Sequence, residues 1–263
     1  MSESVVVTKL HGAVLEIVLN RPDSFNAFDE EMGLMFLEAL ILAEDPSVRA
    51  VLVIGEGKAF CAGEDLKSLS GDYAEGKTPA LGEILRRRYN PAITKIRQLE
   101  KPVVAAINGV AAGAGVSLAL ACDRRVMSSG AKLALAFSSV GLIPDAGATW
   151  LLPRYLGIGR AIQMATSSEP IGAEQALDLG LVEKVVQPDE VAAAAMSLAQ
   201  ALSQGPTAAF GLTKRLLWES FESDFASHLE AEASAQSIAG SSDDHIEGVR
   251  AFMAKRSPIF GGR

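Results

Sequence analysis

The sequence predicts an α/β protein with a helical C-terminal region, and three observations carry that prediction. Short apolar runs, among them Ala13 to Leu19, Ala50 to Ile54 and Pro102 to Ile107, alternate with helical segments through residues 1–200. Two of those runs, 50–54 and 102–107, are continuously apolar, the pattern of strands buried on both faces. After Gln187-Pro188-Asp189 every segment is helical. Together they divide the chain into a core over 1–200 and a helical region over 201–263.

The elements follow in order. Val5 to Thr8 and Ala13 to Leu19, separated by His11-Gly12, read as a hairpin ended by Arg21-Pro22-Asp23. Asp29 to Ala43 is helix-forming, with an apolar stripe at Met32, Met35, Phe36, Ala39, Leu40 and Ala43 and acidic residues in its positive first turn. Asp45-Pro46-Ser47 separates it from the strand at 50–54, and Gly55 to Gly63 is a glycine-bearing loop. Ser70 to Pro79 is polar and reads as a loop. Leu81 to Leu99 is a helix that Pro91 should kink or interrupt. Past the strand at 102–107, a helix begins near Ala114. Short apolar pieces follow at 125–127 and 133–136, then helices at 148–156, 158–166 and 173–179 and a strand at 181–186. The helices of the last part span 190–202, 206–219, 224–239 and 243–255.

A chain of 263 residues with 49% hydrophobic and 21% charged residues can bury a large core. The net charge of −8 argues against nucleic acid as a partner. Two cysteines, Cys61 and Cys122, and scattered His11, His228 and His245 make neither a disulfide framework nor a metal set. The first residues carry no secretory pattern, and Pro102 to Cys122 reads better as a buried strand–turn–helix than as a membrane span, so a cytoplasmic chain with no membrane partner is expected.

Lys101 to Trp150 holds the chemistry. Glycines at a strand-to-helix junction, Gly109, Gly113 and Gly115, let backbone amides approach a ligand at the positive end of a helix. The same glycines imitate a dinucleotide fold, and Tyr73-xxx-Lys77 imitates the catalytic pair of short-chain dehydrogenases. The order of the two motifs is reversed, however, and Leu118 stands where a third glycine is needed, which argues against a nicotinamide enzyme. No G-x-S-x-G elbow supports a serine hydrolase. The loop Lys58 to Leu66 reads equally as a tight turn capped by Asp65 or as a second amide donor at Glu64. Asp145 reads equally as a helix cap or as a buried, proton-shuttling carboxylate. Cys61 reads as packing, Asp123 as a structural strand-end residue, and Lys255-Arg256 as a solvated helix end.

LNRPDSFNAF (19–28), AFCAGEDL (59–66), KPVVAAINGVAAGAGVSLALACD (101–123), GLIPDAGATWLLPR (141–154) and EPIGAEQALDLGLVEKVV (169–186) resemble, in that order, the crotonase superfamily of enoyl-CoA hydratases and isomerases. The resemblance implies a spiral ββα core, a helical C-terminal trimerisation region, and a homotrimer or dimer of trimers. It places the oxyanion hole on the backbone amides of Glu64 and Ala114. Coenzyme A, bound as part of the substrate with no separate tight cofactor, would lie along the loops 22–27 and 61–66. Arg21, Asn26, Ala27, Cys61, Ala62, Asp65 and Leu66 would be its contacts, with Lys255 or Phe260 reaching from the C-terminal region. Aligned without gaps, the two glutamates of the family's hydratases fall on Ser117 and Phe137, neither of which can act as a carboxylate. Asp145 stands where several isomerases and dehalogenases of the superfamily carry their functional aspartate. RRRYNPAI (86–93) and EGVRAFMAKRSPIF (247–260) further resemble the ring-1,2-epoxyphenylacetyl-CoA isomerases of bacterial phenylacetate degradation, a branch of that superfamily. The expectation is an acyl-CoA isomerase with Asp145 as shuttle. The alternative is an enoyl-CoA hydratase, a lyase, of fatty-acid or aromatic-acid degradation. A dehalogenase or thioesterase using Asp145 as nucleophile stands behind these.

Overall fold

The computed structural model describes residues 4–263. The N-terminal hairpin pairs β1 (Val6–His11) with β2 (Val14–Leu19) antiparallel, around Gly12 at φ +63°. Helix α1 (Glu30–Leu42) is capped by Asp29, whose carboxylate accepts from the Met32 amide at 2.9 Å. The hairpin then continues as a sheet in the order β1-β2-β3-β5-β7-β10, with β3 (Ala50–Gly55), β5 (Val103–Ile107), β7 (Arg124–Ser128) and β10 (Lys184–Val186) all parallel. Its side chains alternate between two cores, as the period of two in a strand requires. Val51, Val53, Val103 and Ala105 face α1 and the helices of the site. Ala50, Leu52, Val104 and Ala106 face α9 (Val191–Ser203) through Val191, Ala195 and Ala199.

Because β3 and β5 are parallel neighbours, the segments leaving them emerge side by side at the same sheet edge. Each makes a second, short strand there. β4 (Ala59–Cys61), β6 (Val110–Ala112) and β8 (Lys132–Ala134) form a small parallel sheet, closed by antiparallel β9 (Ile171–Gly172). This is the ββα spiral. β4 corrects the reading of 55–63 as loop alone, and β6 adds a strand inside the glycine junction between 107 and 114. Three residues carry no periodicity, and these strands exist only because the spiral brings them together.

The second departure concerns 70–79, where Ser70–Ala74 forms a short helix, α2, instead of the expected loop. The helix expected over 81–99 is interrupted ahead of Pro91, into α3 (Leu81–Ile84), a π-helical turn (Leu85–Tyr89) and α4 (Asn90–Gln98), with Pro91 in the first turn of α4. A wide turn just before the proline spares its ring the clash with the carbonyl four residues back and leaves no amide wanting. α5 (Ala114–Ala121) is buried at every residue. α6 (Ala148–Leu156), α7 (Ile158–Thr166) and α8 (Ala173–Asp178) follow, then α9. α10 (Thr207–Glu219), α11 (Phe225–Gly240) and α12 (Asp243–Met253) complete the chain. Pro102 to Cys122 thus forms β5, β6 and α5, and among the described residues no helix is long and apolar enough to cross a membrane.

Candidate active site

The site begins where the loop after β4 meets the start of α5. Phe28 bridges Glu64 in parallel fashion by donating to the Gly63 carbonyl (2.7 Å) and accepting from the Asp65 amide (2.9 Å). That pattern uses the groups on either side of Glu64 and turns the Glu64 N–H the other way. Ala114 is the first residue of α5, so its amide has no acceptor within the helix. Neither amide donates to an acceptor among the described residues. Two glycines let them converge. A side chain on Gly63 (φ +84°) would sit 3.1 Å from the Ala114 nitrogen, and one on Gly115 would come within 2.1 Å of the Cys61 carbonyl oxygen. Sequence alone leaves Lys58 to Leu66 open between turn and donor. In the structure Asp65 accepts from the Lys67 amide (3.1 Å) in a turn ahead of Ser70 rather than at a helix start, while the Glu64 N–H has no acceptor among the described residues.

Both amide-bearing residues, Glu64 and Ala114, line a cavity of about 270 Å³ whose wall is apolar, with Phe137, Leu135, Leu142 and Ile143 among its lining residues, and which also receives Asp145. Asp145 is not a helix cap, because α6 starts at Ala148 behind Gly147 (φ +88°) with no side-chain cap. Its Oδ1 is buried without a hydrogen-bond partner. Burial, and after it the charge of Glu64, pushes its carboxyl up to about 6. Ser117 donates through Oγ to the Asp145 main-chain carbonyl (2.8 Å), fixing the loop rather than supplying a reactive group. Phe137 fills the other position with a ring.

The residues expected to meet coenzyme A divide in two. Ala62 and Leu66 line the cavity. Arg21, Asn26, Ala27, Cys61 and Asp65 knit the loops together. Arg21 spans Asp29 and Asp65 at 2.9 Å each and donates to the Ala27 carbonyl. Buried Asn26, with its backbone at φ +57°, accepts from the Arg21 amide and donates to the carbonyls of Glu56 and Ala59 at 2.8–2.9 Å. Burial pushes the Cys61 thiol up to about 12, the state of a packing cysteine. Lys255 follows α12, and no hydrogen bond or ion pair joins it to 21–27 or 61–66 among the described residues. The Phe260 carbonyl instead accepts from Arg49 (2.9 Å), at the start of β3 and away from the cavity end.

Three groups escape the sequence reading. Glu64, a cavity-lining residue, brings a carboxylate as well as an amide; Arg88 pairs with its Oε1, and Tyr89 donates to Oε2 at 2.8 Å. Tyr89 is buried against Phe28, with ring centroids 5.4 Å apart, and burial first of all holds its phenol well above its usual range. The available signal was an Arg-Tyr pair ahead of a proline inside a helix.

A ββα spiral whose paired loops present two free amides to a carboxylate-bearing cavity defines the crotonase fold, and the comparisons agree. A family model described as enoyl-CoA hydratase/isomerase matches residues 9–263, and the chain belongs to that family of enzymes. It is 41% identical to the 1,2-epoxyphenylacetyl-CoA isomerase of Escherichia coli K12, over 98% of each chain. It is 34% identical to the crotonyl-CoA hydratase of Syntrophomonas wolfei, over 93% of each. The crystal structure of an enoyl-CoA hydratase from Bacillus anthracis superposes with a TM-score of 0.91 at 31% identity, covering 98% of this chain and 100% of that one.

Proposed function

We propose that the protein is an acyl-CoA isomerase that moves a double bond, or rearranges a ring epoxide, through a thioester enolate. The observation that carries this reading is a single unpartnered carboxylate, Asp145, facing the cavity that two free amides share. The thioester carbonyl oxygen accepts from the Glu64 and Ala114 amides, reinforced by the positive end of α5. As Cα loses its proton to Asp145, charge moves onto that oxygen. One such donor is worth about 3–4 kcal/mol to an oxyanion-forming step. The protonated Asp145 then returns its proton to a different carbon, and the apolar wall keeps water from the intermediate. Both steps are proton transfers, so coenzyme A enters only as part of the substrate. The ring epoxide is the more specific choice, supported by the 41% identical relative.

A hydratase is the second reading, favoured by the Syntrophomonas relative and by a second carboxylate, Glu64, in the same cavity. Assembly as a trimer or dimer of trimers in the cytoplasm belongs to the same proposal. It is supported by the apolar side chains that α12 and the following segment leave to solvent, with Phe252 85% and Ile259 83% exposed. The test is turnover of a 3-enoyl-CoA and of crotonyl-CoA, followed by thioester absorbance. Isomerisation is expected to dominate and to fall about 10²–10⁴-fold in Asp145→Asn. Rapid hydration of crotonyl-CoA retained in that variant would overturn the proposal.

A further inference from the structure

The cavity holds two carboxyl groups in opposite circumstances. On one side the oxyanion loop carries Glu64, whose carboxylate has Arg88 on one oxygen and the Tyr89 hydroxyl on the other. Arg88 and Tyr89 are consecutive, and in an ordinary helix adjacent side chains point about 100° apart. They meet on one carboxylate where the π-helical turn Leu85–Tyr89 widens the backbone. The Arg88 stem is fixed in turn by a bare spot on α1, where a side chain at Gly33 would lie 2.5 Å from its Cγ. On the other side Asp145 has a buried oxygen with no donor among the described residues. Strand, π turn and α1 therefore fix one negative group opposite another that nothing neutralises.

We propose that the Glu64 carboxylate, clamped by Arg88 and Tyr89 across the cavity from Asp145, is a positioning residue for proton transfer, holding Asp145 in a negative field that sets when it takes up and releases its proton. This rests on Asp145 being the shuttling base. The groups facing Asp145 from the elements around it are few. Glu64 comes from the oxyanion loop, Tyr89 from the π turn with Arg88 behind Glu64, and Tyr73 from α2. α5 and the stretch 135–147 between β8 and α6 bring no titratable group besides Asp145 itself, while β8 carries Lys132 and the far end of α6 Arg154 and Tyr155. Two environments that push neighbouring carboxyls apart are the usual way a site obtains an acid and a base at one pH. The charge of Glu64 acts on Asp145 in the same direction as burial does.

The sign is testable because the clamp contains both charges. Glu64→Gln removes the anion and leaves the Arg88 cation, so the acid limb of kcat/KM for 3-enoyl-CoA isomerisation should move down by about 0.5–1 pH unit. Arg88→Gln removes the cation and leaves the anion, so the same limb should move up. A purely structural clamp predicts that both variants lose activity alike, with the limb where it was. Carbon-13 NMR of the Asp145 carboxyl in the wild type and in Arg88→Gln reads the same shift without turnover and stands in if Glu64→Gln fails to fold. Asp145→Asn, run alongside, tests the base itself. If it stays active, the shuttle fails while the NMR titration still judges Glu64. Limbs that do not move, or that move together, overturn the proposal.

Discussion

Taking the Asp145 carboxyl out of water without giving Oδ1 a donor disfavours its charged form, and that makes stability depend on pH. With its carboxyl pushed up to about 6, mainly by burial, the folded protein holds this proton more tightly than the unfolded chain does. The resulting stabilisation is complete below the ordinary aspartate range near 3.8 and is lost as pH rises through 6. Asn carries no charge to desolvate. Asp145→Asn should therefore melt progressively higher than the wild type as pH rises from 4 to 6, by about 2–4 °C for each kcal/mol, and the gain should level off above that. Melting curves across pH 4–8 check this, and a constant offset would mean that the charge is not penalised. At this scale the sequence is legible where it supplies an isolated acid among small residues. It is silent on Glu64, because a carboxylate four residues past Phe60 gives no hint that Arg88 and Tyr89 will meet it.

At the scale of elements, the long strands and the helices α6 and α7 are readable because each satisfies its own period over five residues or more. β4 and β6 are not, since each exists through a partner distant in sequence, β6 for β4 and β4 and β8 for β6; the π turn is announced only by Pro91 behind it, whose expected effect does not say which widened turn results. The convergence of the Glu64 and Ala114 amides, the proposed oxyanion donors, belongs to the elements set by distant partners. What the sequence does show is the glycine that the pairing demands, Gly115. A methyl group there would meet the Cys61 carbonyl oxygen at 2.1 Å, so α5 must retreat from the loop after β4 and carry the Ala114 amide with it. Gly115→Ala should cost about 1–3 kcal/mol of stability by overpacking. It should also lower kcat/KM about 10–100-fold, short of the 10²–10³ of losing a whole donor. Denaturant titration and steady-state rates measure the two, and unchanged rates with reduced stability would separate the helix position from oxyanion binding.

For the whole molecule the open issue is whether 201–263 is a separable helical region or part of the core. Three attachments bear on it. Arg49, at the start of β3, donates to the Thr207 hydroxyl (3.1 Å) and to the carbonyls of Gly205 and Phe260. Gly211 of α10 lies so close to Glu100 that an added side chain would sit 2.6 Å from its Cβ. Most telling is Lys214, which is buried and reaches the Asp123 carboxylate at 2.8 Å and the Ile96 carbonyl at 2.7 Å. Asp123 in turn accepts from the Val103 amide at the head of β5, the strand whose far end leads through β6 to the Ala114 amide. Burial keeps the Asp123 carboxyl above its usual range even with Lys214 and these bonds in place. Removing the lysine therefore strands an anion inside the protein, at a cost of about 3–5 kcal/mol. If α10 is part of the cooperative unit, Lys214→Met should lower the melting temperature of the entire molecule in one transition. If the C-terminal helices fold by themselves, calorimetry of the variant should resolve two transitions, the core retaining the wild-type midpoint. A single, lowered transition is the expected result, because the charge that loses its partner sits on the core side, next to the strand that positions the site.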